Sequence, residues 1–90
     1  MKANPKHAAV VVEDRRASLT VSYSVRRKAD GADLESDSNS FSEIIGGRED
    51  LTEAQAVAAV VECAQGWANN FRAEHPDLDL GVWDSTGNCY

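Results

Sequence analysis

The chain is poor in sulfur, in aromatic bulk and in long apolar runs. Two cysteines, Cys63 and Cys89, are too few for a disulfide scaffold, so reduced thiols are expected, with a bridge between them left open. His7, Cys63, His75 and Cys89 are the only soft ligands. None falls in a Cys-x-x-Cys or His-x-x-x-His spacing, so neither a metal nor a cofactor is expected. The longest apolar run, Ala8 to Val12, is far shorter than the ~20 residues that span a bilayer and falls below a secretory core segment, which points to a cytoplasmic protein without membrane contact. No Gly-x-Ser-x-Gly element, phosphate-cradling glycine loop or nucleophile–base pair is visible, and a non-enzymatic role follows.

What is present is charge, unevenly placed. The net charge is −6, yet Met1 to Lys28 holds seven bases (Lys2, Lys6, Arg15, Arg16, Arg26, Arg27, Lys28) against Glu13 and Asp14. Beyond Lys28 only Arg48 and Arg72 face thirteen acids. Such asymmetry speaks of partners and solubility rather than fold. The 90 residues allow one small domain, 1–90, with 1–7 as a flexible arm and 84–90 as a C-terminal tail.

The valines of Ala8–Val12 favour a short strand covered on both faces. After a polar turn, "SLTVSYSVR" alternates, setting Leu19, Val21, Tyr23 and Val25 on one face and Thr20, Ser22, Ser24 and Arg26 on the other. Asp30-Gly31 suits a tight hairpin, leading into a third strand from about Ala32 that is weak in propensity and suited to a sheet edge. Thr52 and Gln55 form a capping box. Val57, Val60, Val61, Ala64, Trp67, Ala68 and Phe71 then trace one apolar stripe of a long helix that ends before Pro76. A last strand puts Leu78, Leu80 and Val82 inward and Trp83 outward. The expected fold is α+β in two layers: an antiparallel sheet, in the order β-β-β-α-β, with one long amphipathic helix on one face.

The stretch "KADGADLESDSNSFSE" concentrates acids: Asp30, Asp33, Glu35, Asp37 and Glu43. As a calcium loop starting at Asp33 it fails, because the sixth position is Ser38 and the twelfth Ile44 where glycine and a carboxylate are needed. As a strand, Asp33, Glu35, Asp37 and Asn39 share a face at intervals of ~6.6 Å. Charge on an edge strand blocks accidental pairing, and that alone would explain the row. The functional alternative is an anionic surface offered to a basic groove and extended toward the helix start by Glu49, Asp50 and Glu53. The arginines split between the two ends of the second strand. They are better suited to pairing with the acidic strand than to direct nucleic-acid binding, for which no motif exists.

The residues chosen as partner-binding are Asp30, Asp33, Glu35, Asp37, Glu43, Glu49, Asp50 and the outward Trp83, an indole suited to anchoring an interface unless it covers the sheet's far side with Tyr90 or the N-terminal arm. A tiny, acidic, cysteine-poor chain is similar in general character to phage and mobile-element inhibitors, including anti-CRISPR proteins and nucleic-acid mimics. The likeness is one of composition, and no residue roles are carried over from it. It implies a protein-binding module that occludes a partner's basic nucleic-acid-binding surface, acting in the host-cell cytoplasm if the gene is phage-borne. The alternative is a structural or assembly protein forming a homodimer through its edge strand.

Overall fold

The computed structural model describes residues 5–90. A four-stranded antiparallel sheet carries one long helix on one face, the expected α+β arrangement. The elements are a short 3₁₀ turn at Lys6–Ala9, β1 Val11–Glu13, β2 Arg16–Arg27, β3 Asp33–Ile44, α1 Glu53–Glu74 and β4 Leu78–Asp84. β2 is the spine. It pairs with β3 along nearly its whole length on one side. On the other side β1 holds Arg16 to Ser18 and β4 holds Val21 to Arg27, which leaves a gap in the pairing beside Leu19 and Thr20.

Alternation fixes the faces. Ala17, Leu19, Val21 and Val25 of β2 and Leu80 and Val82 of β4 are buried under α1, whose Ala56, Val60, Ala64 and Ala68 recur every fourth residue along the contact. Small alanines let the helix lie close, and each large apolar residue fully removed from water, such as Val60, contributes about 1.5–3 kcal/mol. The Thr52–Gln55 capping box forms as expected, with the Gln55 amide donating to Thr52 Oγ1 at 3.1 Å and the Thr52 amide to Gln55 Oε1 at 2.9 Å. No helix or strand of the described residues covers the opposite, bare face of the sheet, and these residues form a plate measuring 47 × 33 × 19 Å.

Four expectations need correction. Ala8 and Ala9 belong to the 3₁₀ turn, and β1 is exposed rather than covered, with Val11 56% accessible, because β1 lies beyond the helix's reach and pairs with only three residues of β2. Asp30-Gly31 does not make a two-residue hairpin. The connection runs from Lys28 to Ala32, with Gly31 supplying the positive φ of 70° and a bulge at Leu34 shifting the register. Part of the supposed 1–7 arm is held: Lys6 Nζ donates to Gln65 Oε1 at 2.8 Å and lies 4.7 Å from the centre of the Tyr90 ring, while residues 1–4 lie outside the described residues.

The supposed 84–90 tail folds back into the core. Tyr90 is only 6% exposed, and its hydroxyl donates to Asp84 Oδ2 at 2.6 Å. Asp84 Oδ1 accepts from the Thr86 amide, the Thr86 hydroxyl and the Asn88 amide. Arg72 reaches across from α1 to donate to the carbonyl oxygens of Leu80 and Tyr90. A buried carboxylate is tolerated when its lone pairs are filled, and Asp84 is filled on both oxygens.

Candidate functional site

β3 is the free edge of the sheet, and its two faces differ. Opposed residues of an antiparallel pair share a face. Glu35, Asp37, Asn39, Phe41 and Glu43 stand opposite Val25, Tyr23, Val21, Leu19 and Ala17, and therefore on the helix side. They border a seam of half-buried rings: Tyr23 meets Trp67 edge-on at 5.2 Å, Phe41 lies 6.1 Å and Phe71 6.4 Å from Trp67, and His75 is 4.7 Å from Phe71.

The acids divide into two sets. Asp33 does not join the row, because the Leu34 bulge places it opposite Arg26 on the bare face, where the two form an ion pair at 2.9 Å. Asp30 pairs with Arg27 at 3.1 Å. The molecule's own arginines thus balance Asp30 and Asp33, as the sequence suggested for the basic residues. Glu35, Asp37 and Glu43 are in no ion pair among the described residues. Glu49 and Asp50 sit on the exposed loop before α1. Glu49 lines a 360 Å³ surface hollow with Glu43, Arg16 and Arg48, where two acids and two bases stand near one another without forming an ion pair.

Partial burial and then the neighbouring Glu35 and Asp37 carboxylates raise the pKa of the Tyr23 hydroxyl. Burial and then Glu43, whose Oε1 is 3.7 Å from the Cys63 sulfur, push the Cys63 thiol up, so that it is a weak nucleophile. Cys63 and Cys89 are both free. Asp37 Oδ1 accepts from the Ser38 amide at 2.8 Å, and Asn39 Oδ1 from the Ser40 amide at 3.0 Å. Two amides of the edge strand are thereby occupied by the side chains that precede them.

Trp83 stands apart from the row. It is opposed to Ser22 on the bare face, 41% exposed, and no single flat contact reaches both it and Glu35 or Asp37. Around it lies a feature the sequence reading overlooked. Ser24, Ser22, Thr20 and Ser18 are matched one-to-one by Ser36, Ser38, Ser40 and Ser42, with Thr20 and Ser40 hydroxyls 3.0 Å apart. The alternation of Ser36 to Ser42 carries this signal, but serines read more readily as loop. Among the described residues no helix is long and apolar enough to cross a membrane, and no group of acids, histidines and cysteines is placed to hold a metal ion.

Comparison with protein-family models, with curated proteins and with solved structures returns no match to this chain.

Proposed function

We propose that this chain is a non-enzymatic protein-binding module whose acidic edge docks on a basic surface of a partner and excludes nucleic acid from it, in the manner of a phage or mobile-element inhibitor. One observation carries the reading: among the described residues Glu35, Asp37 and Glu43 are in no ion pair, and they are aligned on one side of β3, beside the Tyr23–Trp67–Phe41 ring seam. Carboxylates next to ring faces suit arginine and lysine, which take a salt bridge and a cation–π contact together. The hydrogen bond from the Ser38 amide holds Asp37 in place before any partner arrives, reducing the entropy lost on binding. The interface is narrower than the sequence suggested. Asp30 and Asp33 are balanced internally, and Trp83 faces the other way.

Assembly through β3 pairing is the weaker reading, because a second strand would have to displace the Asp37 and Asn39 side chains from the Ser38 and Ser40 amides. Competition in a mobility-shift assay tests the proposal. The chain is titrated into complexes of duplex DNA with a panel of basic DNA-binding proteins drawn from the organism that carries the gene. Release of DNA from one member, lost on Glu35→Lys with Asp37→Lys, supports occlusion. Release from none overturns it.

A further inference from the structure

The gap in the sheet beside Leu19 and Thr20 opens a notch on the face opposite the acidic row. β1 ends its pairing at Ser18 and β4 begins its own at Val21, so the strand ends carrying Val11 and Asp84 stand across from each other with Thr20 between. The resulting cavity has a volume of 580 Å³, within the range of small-ligand sites. Its walls are Val11 on one side and Trp83 with Ser85 on the other, and its floor is the hydroxyl row of Ser18, Thr20 and Ser22.

The indole is well placed for stacking. Trp83 Cζ3 lies 3.7 Å from where a Cβ on Gly81 would sit, so the ring rests along the strand over a residue with no side chain and keeps 41% of its surface in water. The one carboxylate in the lining, Asp84, has both oxygens engaged internally and is 4% exposed, so it meets a ligand neither as a free charge nor as a general acid. The lining offers an aromatic face, an aliphatic edge and hydroxyls that both donate and accept.

We infer that this notch binds a neutral saccharide, with the Trp83 indole stacked on a pyranose ring and the Thr20 and Ser22 hydroxyls bonded to its hydroxyl groups. A polyhydroxylated ring offers donors and acceptors together with an apolar C–H face, which matches the lining group for group. Phosphate-bearing ligands find no base in the lining among the described residues. A second copy of the chain, stacked sheet to sheet over Val11, Ile44 and Trp83, is the competing occupant of this face, and the oligomeric state of Trp83→Ala distinguishes it. The site is independent of the acidic row, so either stands if the other fails.

The test is a glycan array of neutral and sialylated oligosaccharides, followed by titration calorimetry with the best neutral tetrasaccharide. Binding of neutral glycans is expected. Trp83→Ala should weaken it about tenfold, Trp83→Tyr should retain it within about threefold, and Thr20→Val should weaken it severalfold, with circular dichroism confirming that each variant is folded. Binding to no neutral glycan, equal binding of the sialylated set, or an unchanged affinity in Trp83→Ala would each overturn the assignment. A wild-type dimer that Trp83→Ala dissociates would overturn it as well, since a second copy would then occupy the face.

Discussion

Asp37 turns its carboxylate back onto the Ser38 amide, 2.8 Å away, and so both guards the edge of the sheet and fixes an acid beside Tyr23. Asn39 repeats the device on Ser40. Replacing Asp37 and Asn39 together by alanine should free both amides and let β3 pair with a neighbour. In sedimentation velocity the double variant should run heavier than wild type at equal concentration, whereas equal coefficients would mean that the side chains guard nothing.

Tyr90 closes the fold. Its hydroxyl satisfies Asp84 Oδ2, and Tyr90→Phe leaves that charged oxygen without its partner. The expected loss is about 2 kcal/mol, read from urea unfolding midpoints at constant slope. A change within a few tenths of a kcal/mol would mean that residues 84–90 contribute little to stability.

The same pair sets the pH response. Burial alone would raise the Asp84 pKa, but hydrogen bonds from Thr86 and Tyr90 and from the Thr86 and Asn88 amides outweigh it and hold the value below that of a free aspartate. A depressed folded-state pKa gives stabilisation that is full above about pH 4 and is lost as pH falls through the folded value. Tyr90 runs the other way: burial and then Asp84 raise its pKa, so its contribution is full below about pH 10 and is lost as pH climbs beyond. Thermal unfolding across pH 2–11 should show both limbs, with the acid limb flattened in Asp84→Asn and the alkaline limb in Tyr90→Phe.

The helix start is independently testable. Thr52→Ala removes the acceptor of the Gln55 amide and should lower stability by about 1 kcal/mol, while Thr52→Asp should keep most of it. Equal stability of all three proteins would show that the capping box carries no net weight.

Much of this was legible in the sequence because the signals are local. The capping box and the stripe from Val57 to Phe71 define a 22-residue helix through contacts three and four residues apart, and the alternation of β2 from Leu19 to Val25 needs only the strand's own period. The bulge at Leu34 was not legible, since register depends on how the Lys28–Ala32 connection closes, and one inserted residue moved Asp33 to the other face. The return of Tyr90 to the core was hidden for a related reason. Two of its partners, Lys6 and Arg72, come from other segments, and nothing within residues 84–90 announces them or shows that Asp84 will turn back to meet the Tyr90 hydroxyl. The acidic row was visible as composition, but which of its members remain unpaired was decided by tertiary pairing with Arg26 and Arg27.

Charge substitution on the two classes of acid, by reversal in the row and by neutralisation at Asp30 and Asp33, measured against one purified partner, tests the central claim most directly. Affinity for the basic protein released in the competition assay would be determined at low and moderate salt for wild type, for Glu35→Lys with Asp37→Lys and Glu43→Lys, and for Asp30→Asn with Asp33→Asn. The predicted result is a loss of roughly 100-fold or more and a collapsed salt dependence in the first variant, with a change under about threefold in the second. Wild-type affinity in the triple reversal, or an equal loss in the Asp30 and Asp33 variant, would contradict it.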